Sequence, residues 1–511
     1  MIVYIKKIFF INFVIRFLKK NRKLTYKDMN FRQIDFTNYH QIKIFVFKDN
    51  FYSLNNKNIQ NFDFLNFSKK LGGKIGISLS KTSIFNWYRI NSSKLNYPWS
   101  DDFTSKRFIN LLYNYEYVSS SSTNEEINKI DKIIYVHLRR VIFEFNQKQI
   151  SEITSFDLLA YLLSNLLLNK YHENKIDYLF YVISQQVDIL GMHKSYNILE
   201  HAKFINNLNE IKSVLLYFKI NQSKNIDKTI IKMKSILNQY FHDDGTLPLF
   251  NGSNNNYTKL INETINKDVY LKSRKFNNSK NGIAFYSDKN KKIFFDVVQP
   301  NKDKISSNLS AGTLSLEFSG HGEKIFTNCG ASESYGKNPE YLRYSAAHST
   351  IIIQNTNISE IKESNPHIKY PQSVVFNFVE DEEKIYFEGS HNGYLNKFNK
   401  ILKRKIIIHK NKNKIMGEDS LISLKNINSK IIFHIRFHLA DNMSINFTNN
   451  KKNIILRTKQ KNIWLFKSNV ELILEDSILV DNNTTKPTKQ IVIKGILSEK
   501  KVSQKWSLEK I

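Results

Sequence analysis

Two periodicities divide the chain. Up to about residue 270 the apolar positions recur at helical spacing. The segment 104–113 sets Phe108, Leu111 and Leu112 on one face, with Arg107 near its N-terminal end. The same spacing predicts helices over 131–145, 155–168, 177–187, 198–219 and 226–241. The serines 119–122 read as a loop, Asp243-Asp244-Gly245-Thr246-Leu247-Pro248 as a turn, and the polar stretch 251–257 closes this half. After residue 280 the period falls to two, and β-branched and aromatic residues dominate. Strands are predicted over 292–298, 313–318, 349–353, 374–378, 404–409, 430–438, 453–457, 463–467 and 490–496. Helices first and strands second predict two domains, over 1–270 and 280–511. Serial antiparallel helices suit a toroid or irregular bundle; many short strands suit a β-sandwich.

Composition supports this and narrows the chemistry. The 511 residues are 41% hydrophobic, enough for large cores, and seven prolines and sixteen glycines exclude a linker-dominated chain. The single cysteine, Cys329, excludes an intramolecular disulfide framework and a cysteine-cluster zinc module. Lys and Arg number 76 against 46 Asp and Glu, a net charge of +30. That excess first suggests a nucleic acid or another anionic partner. It is spread along a chain rich in Lys, Asn, Ile and Phe, with no basic tail or nucleic-acid module, so a polyanionic substrate is the stronger expectation. Near the start, Lys6 and Lys7 precede the apolar run 8–15, followed by Arg16, Lys19 and Lys20. The run is well short of the roughly 20 residues that span a bilayer. A basic amphipathic helix in peripheral contact with a membrane and a first helix packed on its own protein are the two readings.

Three clusters could carry chemistry. In His434-Ile435-Arg436-Phe437-His438, alternation puts His434, Arg436 and His438 on one face of a strand. Arg436 between the two imidazoles repels a divalent cation, so an anion such as a sugar carboxylate or sulfate fits better than a metal. Hydrogen bonding to loops on the sandwich face is the other reading. Arg343-Tyr344-Ser345-Ala346-Ala347-His348 leads into an apolar strand, where small residues permit close approach. His348 there is either a ligand-facing group or a buried, satisfied histidine. Gly191-Met192-His193-Lys194-Ser195-Tyr196-Asn197 lies between two predicted helices, where loop residues on a rigid scaffold frequently act. Other candidates fail. Gly72-Gly73-Lys74-Ile75-Gly76 lacks the ending of a phosphate loop, and no Gly-x-Ser-x-Gly elbow occurs. His137 and His201 read as helix-surface or core residues, and Cys329 has no activating partner in sequence.

The order of these segments resembles the bacterial heparinase II/III-like family. The resemblance runs from about Trp87 to Trp506. It includes Trp99 and Arg107, the Gly191-x-His193-x-Ser195-x-Asn197 pattern, and the turn at Asp244–Phe250. It continues through 311–319, Asn328-Cys329-Gly330, 346–350, Asn392-Gly393-Tyr394, Gly417-Glu418-Asp419, Arg436-Phe437-His438 and Gln490-Ile491-Val492. The resemblance implies an α+β multidomain fold: an incomplete N-terminal (α/α) toroid, then a C-terminal antiparallel β-sandwich. It implies a lyase that cleaves uronic-acid polysaccharides by β-elimination in a cleft between the two. On that implication His193, Tyr196, His348 and His438 are the catalytic candidates. Asn197, Arg343, Arg436 and His434 would bind substrate.

One departure weighs against ordinary catalysis. Family lyases carry a His-x-His-x-Asp run at the first long strand, supplying a catalytic histidine and a metal ligand. Here the stretch is Asn308-Leu309-Ser310-Ala311-Gly312, and Asn328 stands where a ligating Asp is expected. No metal or other cofactor is therefore expected. The alternative is a catalytically silent glycan-binding or envelope-assembly protein. The expected partner is an acidic polysaccharide and not a nucleic acid. The resemblance favours the periplasm or cell envelope, while the lack of a small-residue cleavage site after the apolar run leaves the cytoplasm open.

Overall fold

A computed structural model describes residues 57–511, apart from 93–98, 100, 169–172, 221–222, 266–275, 278–281, 302–308, 333–338, 363–364, 426–429 and 482–483. The basic N-terminal run and Asn308 lie outside the described residues.

The first half is helical, as the spacing predicts. Asp101–Tyr113, Asn124–Phe145, Ser155–Leu167, Glu173–Gln186, Ile198–Tyr217 and Ser223–Leu237 are helices. Two begin at capping boxes. Thr123 accepts from Glu126 N while Glu126 reaches back to the Thr123 amide, and Thr154 and Asp157 repeat the device. The glycine-rich 72–76 stretch is a helix junction. Phe64–Leu71 ends at Gly72 and Gly73–Asn91 begins beyond it, with φ of 67° and 60° at Gly72 and Gly73. Those values favour glycine, which lacks the β-carbon that makes them costly for other residues.

By compactness the chain forms two units, one within 1–186 and 203–230, the other within 187–202 and 231–511. In the first, Arg107 is fully buried. Its guanidinium carbon lies 4.0 Å from the Trp87 ring centroid, and its Nε donates to His137 Nε2 at 2.8 Å. His137 Nδ1 in turn donates to Ile133 O. Trp99, Arg107 and His137 thus serve the helical core.

The second unit is built on two antiparallel sheets. A nine-stranded sheet orders Phe276–Asn277, Ile283–Ser287, Lys291–Asp296, Leu316–Gly320, Glu323–Thr327, Ile431–Leu439, Thr484–Leu497 and Leu472–Asp481, with Ile351–Ile353 also paired to Ile431–Leu439. An eight-stranded sheet orders Ser444–Phe447, Asn453–Arg457, Ile463–Ser468, Lys501–Lys510, Lys414–Ser423, Lys400–His409, Lys384–His391 and Val374–Glu380. Their inner faces share one apolar core. Phe433, Ile435 and Phe437 from the first sheet join Leu402, Ile406, Trp506 and Leu508 from the second. The Phe437 and Trp506 rings meet with centroids 4.8 Å apart. The alternation predicted around residue 435 holds: Ile435 and Phe437 face the core, and His434, Arg436 and His438 face away from it.

Candidate functional site

The loop 187–197 belongs to the sheet-bearing unit, and its His193, Ser195 and Asn197 side chains are buried there. Asp188 Oδ1 accepts from the amides of Leu190, Gly191 and Met192, which shapes the turn. His193 Nδ1 bonds Ser195 Oγ at 2.8 Å, and the His193 amide donates to His201 Nδ1. His201 Nε2 donates to Met233 O, so His201 is a satisfied core histidine. Tyr196 adopts φ 50° and is buried. Burial first, then the charges of Asp188 and Asp296, raise its hydroxyl above the ordinary tyrosine range and keep it protonated.

Asn197 ends the loop and caps the next helix. Its Oδ1 accepts from Glu200 N at 3.0 Å, and its Nδ2 donates to Asn251 O at 2.8 Å. Asn251, itself left-handed at φ 52°, accepts from the Ser310 amide through Oδ1 at 3.1 Å. The Gly191–Asn197 pattern is thereby joined to Ser310, in the stretch 309–312 singled out in the sequence. Arg343 reaches the same stretch, donating to Leu309 O at 2.9 Å.

His348 stands over Gly312. A β-carbon on Gly312 would fall 2.9 Å from the His348 ring, so only glycine admits the imidazole there. Both His348 nitrogens are buried and neither has a hydrogen-bond partner. Burial pushes this histidine down to about 4, so the ring is neutral, with one N–H and one lone pair both unmatched. An unmatched buried polar group costs about 1–3 kcal/mol. The Asn251 Nδ2 amide is unmatched as well.

The second histidine cluster is arranged differently. His438 Nε2 donates to Ala346 O at 3.0 Å and its Nδ1 accepts from Ser477 Oγ at 2.7 Å. Arg436 bonds Glu475 at 2.7 Å and Gln490 at 3.1 Å along the sheet face. His434 is half-buried, with Nδ1 unpartnered. The structure therefore ties Arg343, His348 and, through Asn251, Asn197 to 309–312, while His193 and Tyr196 lie in the same loop as Asn197. His438 braces the adjoining turn at Ala346, and Arg436 pairs along the sheet. Three residues escaped the sequence reading. Asn251 sits in an Asn-Gly turn, Glu317 is a lone carboxylate in an apolar strand, and Asp296 is a fully buried carboxyl pushed up to about 7 by burial.

Several buried histidines are expected to make stability fall in acid. Burial pushes His193 and His348 down to about 4, and His201, His391 and His438 to about 3. In the unfolded chain each takes up a proton near the ordinary 6.5. The unfolded state binds more protons below that value, so stability is present above it and is lost as pH falls. The melting temperature is expected to drop steadily from about pH 7 to about pH 5. A flat profile over that range would show the imidazoles to be exposed.

The residues from 272 to 507 match the family described as Heparinase II/III-like, C-terminal. That part of the chain, 272–507, is heparinase II/III-like. Solved structures extend the likeness over 98% of the whole chain. A heparinase III structure aligns with TM-score 0.73 at 12% identity, covering 89% of that chain. A heparan sulfate lyase from Pedobacter heparinus aligns at 0.63 and 12%, covering 87% of its chain. A Paenibacillus xanthan lyase aligns over 98% of this chain at 0.52 and 9%, covering 56% of its own. At such identities the likeness is one of fold. No curated protein matches the sequence.

The metal implied by the heparinase II/III-like resemblance does not fit these residues. Ser310 and Gly312 bring neither imidazole nor carboxylate. Asn328 donates through Nδ2 to Glu317 and accepts through Oδ1 from the Ser349 amide, so both ends of its amide are engaged. Among the described residues no group of three or more His, Cys, Asp or Glu side chains is placed to hold a metal ion.

Proposed function

We propose that this protein binds an acidic, uronate-containing polysaccharide and cleaves it by β-elimination. The observation that carries the reading is His348: a fully buried, neutral imidazole with both nitrogens unmatched, beside a stretch that also orders the Asn251 amide. A uronate offers what these groups lack, a carboxylate to accept N–H bonds and a weakly acidic C–H to give up. Amide donors on the sugar carboxylate stabilise the enolate that develops as the proton leaves. The lone-pair nitrogen of the neutral His348 ring receives that proton. The C–H electrons form the ring double bond, the bond to the 4-oxygen breaks, and Tyr196, held protonated, gives its proton to that leaving oxygen. Proton transfer of this kind contributes about 10²–10⁴-fold. Asn197 acts through Asn251, and His193 through the turn it shares with Ser195. Arg343, His434, Arg436 and His438 line the substrate further out or brace the loops that do.

A silent glycan-binding protein of the same fold is the second reading, favoured by the absence of imidazole or carboxylate at 309–312. The discriminating experiment incubates the protein with a panel of acidic polysaccharides and follows the ultraviolet absorbance of the unsaturated uronate. Growth of that signal supports elimination, and binding without it supports the silent reading. Gly312→Ala is a companion test. Its methyl would press the His348 ring at 2.9 Å, so activity or binding is expected to fall by at least about tenfold, one 1.4 kcal/mol step, in a folded protein. Unchanged turnover would remove His348 from the site.

A further inference from the structure

We propose that Glu317, Lys324 and Asn328 form a metal-free clamp that positions His348. The clamp rests on the reading of His348 as the ligand-facing group, but its tests need no glycan. Glu317 is fully buried on the strand Leu316–Gly320. Its Oε1 accepts from Leu249 N at 2.9 Å and from both Asn328 N and Asn328 Nδ2 at 3.0 Å. Its Oε2 accepts from His242 Nε2 at 2.9 Å and lies 3.4 Å from Lys324 Nζ. Burial opposes this charge, yet the Lys324 ammonium and these donors outweigh it and hold the carboxyl below its ordinary range.

The cation is thus already present as a side chain. The Lys324 ammonium also donates to Leu247 O at 2.8 Å, tying the turn after His242 to the sheet. A divalent ion placed here would meet that ammonium and the N–H face of Asn328, both repulsive to it. The far end of Asn328 does the positioning. Its Oδ1 takes the Ser349 amide at 2.9 Å, the peptide directly after His348. Ser349 is held at its other atoms too. Its Oγ donates to Thr327 O and accepts from the His438 amide, and its carbonyl accepts from Arg404. The His348 ring makes no hydrogen bond of its own, so its place is set by this backbone and by Gly312.

Asparagine is the residue this arrangement needs. Aspartate could still accept from Ser349 but would set a second carboxylate against Glu317. Alanine would lose both bonds. The test uses the full chain labelled with ¹³Cε1-histidine, with the His348 signal assigned through His348→Gln. In Asn328→Asp and Asn328→Ala the His348 resonance is expected to shift, while those of His137 and His201 stay in place. A chelator, or added Zn(II), is expected to leave the wild-type melting temperature unchanged, whereas a resident metal ion would make it move with both. If the Asn328 variants do not fold, Glu317→Gln, which keeps the shape and removes the charge, takes their place with the same expectation. An unshifted His348 signal in a folded variant, or a melting temperature that follows chelator or zinc, overturns the clamp. Failure to bind any acidic glycan would overturn the functional reading instead and leave these results standing.

Discussion

Replacing His348 by glutamine is expected to abolish elimination, lowering kcat/KM by about 10²–10⁴-fold, the range a positioned proton-transfer group supplies. The same change is expected to leave the fold intact. His348 makes no hydrogen bond whose loss would weaken the protein, and its nitrogens are unmatched in the interior. Glutamine fills much of the same space, and its flexible amide can settle those needs locally. The comparison is His137→Ala. That ring is bonded on both sides, to Arg107 and to Ile133 O, so its loss is expected to reduce stability without a matching loss of turnover per folded molecule. Circular dichroism on both variants, together with initial rates corrected for the folded fraction, separates the two cases. Equal losses of rate, or losses that merely track unfolding, would remove His348 from the chemistry.

The second large effect falls on stability. Arg404 and Asp419 face each other in register on neighbouring strands, and both side chains are fully buried. Arg404 Nε meets Oδ1 at 2.6 Å and Nη2 meets Oδ2 at 3.2 Å, a two-pronged pair. Trp506 Nε1 donates to Asp419, and Arg404 Nη1 reaches Leu314 O and Ser349 O. The pair therefore anchors the backbone next to His348 as well as the core. Asp419→Ala leaves a guanidinium buried without its counter-charge, and the expected cost is about 3–5 kcal/mol. Denaturant unfolding at neutral pH measures it. A loss no greater than that of an exposed pair, about 1 kcal/mol or less, would contradict the account.

Much of this architecture is legible in the sequence. Helical spacing marks the segments 104–113, 155–168 and 198–219 because their buried faces carry Phe, Leu and Ile with little interruption. Strands such as Lys501–Lys510 are harder to read. Gln504, Trp506 and Leu508 alternate inward, but Lys505 and Ser507 between them and Lys501 and Glu509 on either side dilute the apolar signal. Leu472–Asp481 is hidden in the same way by the charged Glu475 and Asp476 at outward positions.

The site was partly legible. Small residues before His348 signalled close approach, and Gly312 supplies its other half from 36 positions away along the chain. No local pattern announces such a pairing. Nor does spacing distinguish His348 from His438, since both are buried histidines and only hydrogen-bond geometry separates the unmatched ring from the matched one. Arg436 is a similar case. Alternation placed it correctly on the outer face, but its pairing with Glu475 depends on which strand lies two places away in the sheet. Asn251 joins the 191–197 loop to residue 310 through a backbone carbonyl and a side-chain oxygen, a link that exists only once the fold has formed.

The most direct measurement is a side-by-side incubation of the wild-type chain and His348→Gln with acidic polysaccharides, read by the absorbance of unsaturated uronate and by binding to immobilised glycan. The account predicts a growing signal with at least one polyuronate from the wild type and none from the variant, both proteins being folded. Equal signals from the two, or a wild type that neither cleaves nor binds any polyuronate, would contradict it.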